Sequence, residues 1–379
     1  MIKSFRSIVA VVAVLLVAVA IAGCGGTTTT TAPAGTETTG AATETTTAPG
    51  TGEKLVFAEC SPVASNQHQM AFAYGRAQMA KNLGVEFFAT DANLSSAKQV
   101  ADIDSFILRK VNGIMTATLD PGAATQAYKK AQDAGIPVLI SESVGDFVTT
   151  AWLPAFMNTR EAETDFAQLV ASIYPGGNIL VVGGEAVPYI MFVAKAMEEE
   201  AAKAGLKVLQ RQDNLSDQAS GAQVIVQDML TKFKDVQAIY CFNDRSALGA
   251  AAAVKAAGLE VYNMADPKEG AVLICGMNAT QEALEAIKGG VITCTYGANS
   301  ETVGAAMLEQ LYLLATGKLK AEEVPPIVVT PWFRWDGINV DEAVDPLKRE
   351  IKNGGYYDEF IKSNEPSKAD EFIEFCKTL

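Results

Sequence analysis

The feature that most restricts the fold of this chain is an alternation of short apolar runs with amphipathic stretches, sustained from Leu55 to Thr330. Leu55–Glu59, Val85–Ala89, Gly113–Ala117 and Val138–Ser141 have the length and apolar content of strands. Between them lie helices. Gln69–Asn82 repeats apolar residues at helical spacing (Met70, Ala73, Ala77, Ala80) and stops at Gly84; Ser96–Arg109 places Val100, Ile103 and Ile107 on one face; Gly122–Ala134 ends in the turn Gly135-Ile136-Pro137. Strand followed by helix, repeated with short links, is satisfied by a parallel sheet covered by helices on both faces.

The pattern restarts after Thr159. Helices are expected over Arg160–Ile173, Tyr189–Ala204, Ala219–Lys232, Ser246–Ala257 and Thr280–Lys288. Strands are expected over Asn178–Val182, Lys207–Gln212, Ala238–Phe242, Ala271–Cys275 and Val291–Thr295. A further helix, Glu301–Ala315, and a strand, Pro325–Thr330, follow. The expected class is α/β, with two doubly wound parallel-sheet lobes joined by a multi-strand hinge. The expected lobes are 54–157 plus 298–325 (N-terminal) and 158–297 plus 326–340 (C-terminal). Residues 341–379 form a helical extension, with helices over Asp345–Asn353, Tyr356–Lys362 and Lys368–Lys377. In open parallel sheets ligands bind at the carboxyl ends of the strands, so the cleft between the lobes is the expected site.

The first residues follow another logic. Lys3 and Arg6 precede an unbroken apolar run, Ile8 to Ala22, closed by Gly23 and Cys24. That is the order of a secretory signal, and the run is shorter than the roughly 20 residues a spanning helix needs. Ile21-Ala22-Gly23-Cys24 resembles a bacterial lipobox. Residues 1–24 are therefore expected to be a lipoprotein signal peptide with Cys24 lipidated, an ordinary signal peptide or short anchor being the alternative. Residues 25–53 are almost entirely Thr, Gly, Ala, Pro and Glu. Such a segment buries too little apolar surface to offset its ordering entropy, so a tether is expected. The folded part would then work outside the cytoplasm, in a periplasm or on a cell surface, held to the membrane through Cys24 alone.

Charge and composition remove several function classes. A formal charge of −14, with no basic patch, argues against a nucleic-acid partner. The six cysteines show neither CxxC nor zinc-ligand spacing, and the ones after Cys24 fit buried thiols, with one disulfide left open. The single histidine, His68, has neither a nucleophile partner for a triad nor a second histidine for zinc. Gly183-Gly184-Glu185 after a strand lacks both GxGxxG and a phosphate-loop lysine. No cofactor, metal or catalytic residue is expected.

The order and spacing of several short stretches resemble the ribose/galactose branch of the type I periplasmic binding proteins, the substrate receptors of ABC importers. These stretches are Asn66-Gln67-His68-Gln69 through Gly75, Asp91-Ala92-Asn93 with Ala97-Lys98-Gln99, Leu119-Asp120-Pro121 with Ala134-Gly135-Ile136-Pro137-Val138, Asn243-Asp244 with Ala247-Leu248-Gly249-Ala250, and Gly276-Met277-Asn278. The resemblance implies ligand contacts at Asn66, His68 and Gln69 on the first loop, Glu142 ending the fourth strand, Asn158 after the first crossover, Asn243, Asn278, and Tyr296 at the second crossover. Trp152 is a candidate for replacement stacking and Tyr189 for the opening of a second-lobe helix. Amide and carboxylate side chains suit adjacent ligand hydroxyls.

The chain also departs from the pattern. The helix after Gly183-Gly184 opens with Val187-Pro188-Tyr189-Ile190-Met191-Phe192, with no arginine, and Leu215 stands where relatives often have an aromatic. A less polar or modified sugar, or another small polar molecule, is the expected ligand.

Other roles compete for the same residues. His68 could cap a helix, Glu142 could be a solvated acid, and Trp152 could pack in the core or hinge. Asp244 is expected to cap Ser246–Ala257 while Asn243 meets ligand, and Asn278 could cap the Thr280 helix instead of meeting ligand. The expected function is an extracytoplasmic binding lipoprotein, monomeric and not an enzyme, that closes on a carbohydrate-like ligand for an ABC permease. Alternatives are the same fold serving a nucleoside, an amino acid or a signalling molecule, coupling to a chemoreceptor or sensor, and a glycoside-processing enzyme, which would need two carboxylates across one site.

Overall fold

The computed structural model describes residues 54–378. The signal peptide, Cys24 and the tether expected from the sequence lie outside the described residues. The first lobe opens with β1 (Val56–Ser61), α1 (Gln67–Leu83), β2 (Glu86–Asp91), α2 (Ser96–Leu108), β3 (Gly113–Ala117), α3 (Pro121–Asp133), β4 (Val138–Ser141) and β5 (Thr150–Pro154). A one-turn helix, α4 (Ala155–Asn158), leads into the second lobe: α5 (Glu161–Ile173), β6 (Asn178–Gly183), α6 (Pro188–Lys203), β7 (Lys207–Asp213), α7 (Ala219–Lys232), β8 (Ala238–Cys241), α8 (Asp244–Ala256), β9 (Leu273–Met277), α9 (Gln281–Lys288) and β10 (Cys294–Gly297). The chain returns to the first lobe through α10 (Ser300–Ala315) and β11 (Ile327–Thr330), then crosses once more to β12 (Phe333–Asp336). The tail carries α11 (Tyr356–Lys362) and α12 (Asp370–Cys376).

Each lobe is a six-stranded sheet, ordered β11-β5-β4-β3-β1-β2 in the first and β12-β10-β9-β8-β6-β7 in the second. Every pairing is parallel except β10 with β12. The strand period of two explains how each sheet feeds two cores. On β1, Ala58 faces a core with α2 and α3 (Phe106, Tyr128), while Phe57 faces one with α1 and α10 (Phe72, Met307). On β8, Ile239 faces α7 and α8 (Val226, Val254), while Tyr240 faces α5 and α6 (Phe166, Met197). β2 and β7, at the sheet edges, are correspondingly half-exposed.

Several expectations need correction. β11 pairs with β5 in the first sheet (Ile327 opposite Ala151), so the returning segment of the N-terminal lobe runs to Thr330 rather than 325. β5 and β12 were not expected from the sequence: Thr150–Pro154 ends in proline and Phe333–Asp336 alternates aromatic with charged residues, so neither is the apolar run that marked the other strands. Asp345–Asn353 is irregular rather than helical, because its carbonyls serve side chains of the body: Arg349 O accepts from Tyr74 Oη at 3.2 Å, and Ile351 O from Asn82 Nδ2 at 2.8 Å. Among the described residues no helix is long and apolar enough to cross a membrane. Cys60, Cys241, Cys275, Cys294 and Cys376 are free, the first four buried.

Candidate functional site

The first lobe presents the start of α1. Asn66 is its N-cap, the side-chain Oδ1 accepting from His68 N at 2.9 Å, which places Gln67, His68 and Gln69 in the opening turn. His68 and Gln69 are buried and turn onto Glu142, at the end of β4. Glu142 Oε1 lies 2.5 Å from His68 Nε2, and Oε2 accepts from Gln69 Nε2 at 3.0 Å. Ser300 Oγ, opening α10, sits 3.0 Å from His68 Nδ1. Phe72 and Phe156 meet the imidazole edge-on at 5.0 and 5.9 Å. Both ring nitrogens of His68 are thus engaged within the chain, and the ring is held rigidly as part of a wall.

The second lobe presents the loops after β6, β7, β8 and β9. Asp217, after β7, accepts from Asn243 Nδ2 at 2.5 Å and faces Asn66 Nδ2 of the other lobe at 3.5 Å. Asn243 also caps α8, its Oδ1 accepting from Ser246 N at 2.9 Å. Phe242 lies against Gly184, where a Cβ would overlap the ring, so that glycine admits the aromatic. Glu185 and Tyr189 complete this wall. Burial pushes the Glu185 and Asp217 carboxyls up from the usual carboxylate range, and the charge of Asp217 adds to the effect on Glu185. Burial likewise pushes the Tyr189 hydroxyl well up, reinforced by the charges of Glu142, Glu185 and Asp217.

Between these walls is a cavity with about 580 Å³ of empty space, part of it open to solvent. Asn66, His68 and Gln69 line it from the first lobe; Tyr189, Asn243 and Asn278 line it from the second. Thr118, after β3, and apolar side chains including Leu119, Met157 and Ile190 fill the remainder. All of these lie at carboxyl ends of strands or the helix starts that follow. At the mouth, Arg245 Nη2 donates to Ser65 O at 2.7 Å and Gln67 Nε2 to Glu282 Oε2 at 3.4 Å, so the lobes meet in a closed arrangement.

Four residues singled out from the sequence do not line the cavity. Glu142 stands behind His68 and Gln69, and Asn158 donates to its carbonyl at 3.3 Å, so both brace the wall. Trp152 is wholly buried in the core under α10 and α11, its indole N–H donating to Gln310 Oε1 at 2.8 Å. Tyr296 is wholly buried beside Trp332, its hydroxyl 2.5 Å from Asp165 Oδ2. The capping roles also change. Asn243, not Asp244, caps α8; Asp244 accepts from Thr280 N, Thr280 Oγ1 and Thr295 Oγ1, tying α8 to α9 and β10. Thr280, not Asn278, caps α9.

Asp217, Glu185 and Phe242 escaped the choice of site residues. The signal for Asp217 was available: like Asn243 after β8, it lies in the loop that follows a strand, β7. Among the described residues no group of three or more His, Cys, Asp or Glu is placed to hold a metal ion.

A family model described as the periplasmic binding protein domain matches residues 57–319. The ribose import binding protein RbsB of Bacillus subtilis is 24% identical over 260 residues, 67% of this chain and 79% of that protein. A putative rhizopine-binding protein of Rhizobium meliloti is 27% identical over 254 residues, 64% of this chain and 79% of that protein. Two solved structures share the fold. One is an ABC transporter periplasmic solute binding protein from Actinobacillus succinogenes with bound D-allose (TM-score 0.68, 21% identity, 76% of this chain and 100% of that one). The other is the Caulobacter myo-inositol binding protein bound to myo-inositol (TM-score 0.68, 22% identity, 77% of this chain and 96% of that one).

Proposed function

The chain belongs to the periplasmic binding protein domain family, and from that premise we propose that it is an extracytoplasmic binding protein that captures a small carbohydrate-like ligand for an ABC importer. The observation that carries this reading is the cavity lined from both lobes by side-chain amides, carboxylates and aromatic rings. Asn66, His68 and Gln69 would meet the ligand from one side, and Tyr189, Asn243, Asn278, Glu185 and Asp217 from the other. The side-chain chemistry fits adjacent hydroxyls, since amides donate and accept while carboxylates accept strongly.

The act is closure rather than bond-making. Three segments connect the lobes, and a ligand that touches both walls favours the closed form by its differential affinity for it. The importer's permease would read the closed faces. The relatives named above include import and binding proteins for ribose, allose and inositol, which supports the ligand class. The lipobox-like Ile21-Ala22-Gly23-Cys24 supports a lipid anchor at Cys24 with residues 25–53 as tether. A monomer suffices, because both walls come from one chain.

The test is a thermal-shift screen of the purified protein against pentoses, hexoses, deoxy and amino sugars, polyols, nucleosides and amino acids. A ligand at 100 times its dissociation constant adds about 2.7 kcal/mol of stability. The expected outcome is a shift with a sugar or polyol and micromolar affinity, about −8 kcal/mol. A shift with nucleosides or amino acids alone would remove the carbohydrate class, and turnover of a glycoside would remove the receptor reading.

A further inference from the structure

The cavity walls are rich in acid and poor in base. Glu185 and Asp217 line the cavity, Glu142 stands directly behind His68 and Gln69, and the lining contains neither lysine nor arginine. The nearest guanidinium, Arg245 at the mouth, is 3.8 Å from Asp217 Oδ2 and donates instead to Ser65 O. Two buried atoms of the lining lack any hydrogen-bond partner in the chain: Glu185 Oε1 and Asn278 Oδ1. Asn278 is 8% exposed and held at φ 108°, a conformation that asparagine adopts at a cost, with its amide at the cavity. Both orphaned atoms are acceptors, so what satisfies them must donate.

Charge narrows the donor further. A neutral hydroxyl can satisfy an acceptor, but it leaves the Glu185 carboxylate, which has no cation beside it and stands near the charge of Asp217, uncompensated in a partly buried cavity. Burial pushes both carboxyls up; at Asp217 the Asn243 amide, Arg245 and the Asn66 amide work against it, whereas at Glu185 no cation does and the charge of Asp217 adds to the rise. An ammonium both donates and compensates. The rings of Phe242 and Tyr189 line the same wall, and aromatic faces attract cations.

We propose that the ligand is a polyhydroxylated ring carrying a protonated amine, an amino sugar or aminocyclitol, with its ammonium held on the Glu185–Asp217 side and a donor of the ring satisfying Asn278 Oδ1. This assignment rests on the carbohydrate reading above and names a class within it.

The experiment is titration calorimetry of the purified protein at pH 7 with matched triplets: glucose, glucosamine and N-acetylglucosamine; galactose and its two counterparts; and myo-inositol with its amino-deoxy and acetamido counterparts. In at least one triplet the amine binds about tenfold or more tighter than both neutral members, and Glu185→Gln brings that ratio to within about threefold. Glu185 Oε1 has no partner to lose, so this variant keeps the parent unfolding midpoint. Asp217→Asn, which retains an acceptor toward Asn243, reduces the ratio as well. A neutral member that binds as well as its amine, or an amine preference that survives both variants, overturns the cationic assignment and leaves the carbohydrate reading standing. No binding in any triplet overturns the cationic assignment, while a shift with a pentose or another neutral sugar in the thermal screen would leave the carbohydrate reading standing.

Discussion

Trp152 and Glu163 show how one side chain's environment decides its meaning. A tryptophan beside a crossover reads the same whether it faces a cleft or a core. β5 has five residues, all buried, so no alternation marks the inward face. In the folded chain Trp152 bridges to Gln310, which in turn donates to Thr150 Oγ1 at 2.7 Å. Trp152→Phe should therefore cost about 1–3 kcal/mol by orphaning a buried acceptor, with ligand affinity unchanged. Denaturant unfolding and calorimetry check this; lost affinity at parental stability would return Trp152 to the site. Glu163 sits on α5 where a surface acid would be expected, yet it is wholly buried against Tyr240, whose hydroxyl donates to it at 2.8 Å. Burial pushes its carboxyl up to about 8. The folded chain therefore keeps a proton that the unfolded chain releases above its ordinary 4.5. Stability falls as pH rises from 4.5 to about 8 and stays reduced above it, by up to about 1.4 kcal/mol per unit in that window. Glu163→Gln keeps the acceptor and removes the titration. Its stability relative to the parent should rise by more than about 1 kcal/mol between pH 5 and pH 8.5, measured by urea unfolding at each pH. A difference that stays flat would mean that the carboxylate is solvated or paired in the native chain.

Among elements, the pairing of α1 with α10 matters most for the site, because Asn66, His68 and Gln69 open one helix and Ser300 opens the other. The helices touch through glycines. A Cβ on Gly75 would overlap the Glu301 carbonyl, and one on Gly304 would overlap the Phe72 carbonyl. Arg76, next along α1, is fully buried in an ion pair with Glu59 of β1, which fixes the rotation of the helix over the sheet. Gly75→Ala should force the helices apart, costing about 1–3 kcal/mol as overpacking does. It should also weaken binding severalfold, since the His68–Ser300 contact spans the same seam. Unfolding midpoints together with affinities test this, and an alanine variant with both unchanged would show that the seam is slack. The helices themselves were legible, because uninterrupted runs of 17 and 16 residues without proline, the first stopped by Gly84, leave room for little else. Their partnership was not. It joins positions more than 200 residues apart (Gly75 with Glu301), and glycine in a helix reads locally as a weakness rather than a contact. The reverse failure is Asp345–Asn353, where residues with helical character were drawn off by tertiary hydrogen bonds to Tyr74 and Asn82.

At the scale of the whole molecule, the restart of the strand–helix pattern after Thr159 made two lobes legible, and the late helix and strand announced that the chain must recross. The sequence could not show how the lobes meet, because the cross-cleft contacts join loops with no pattern of their own. Nor could it show that the tail spans both lobes: Arg349 pairs with Glu301 on α10, while Glu371 pairs with Arg160 at the start of α5 and Phe372 packs on Phe192 of α6. The direct hydrogen bonds between the lobes at the cleft mouth are few, so closure without ligand rests on few such interactions there. These are Arg245 with Ser65 O, Asn66 with Asp217, and Gln67 with Glu282. Polar contacts at an exposed rim are individually weak, about 0–1 kcal/mol, but a two-state hinge responds to small biases. If the closed form binds ligand, apparent affinity scales with the fraction of chains already closed. Arg245→Ala should therefore enlarge the ligand-free radius of gyration in solution scattering, while saturating ligand brings variant and parent to the same value. The dissociation constant should rise about three- to tenfold, in step with the lost closed population. Scattering separates this from any change in charge beside Asp217, because charge alone would move affinity without moving the free shape. A variant with the parent's free dimensions would place the determinants of closure in the hinge strands and the tail instead of at the cleft mouth.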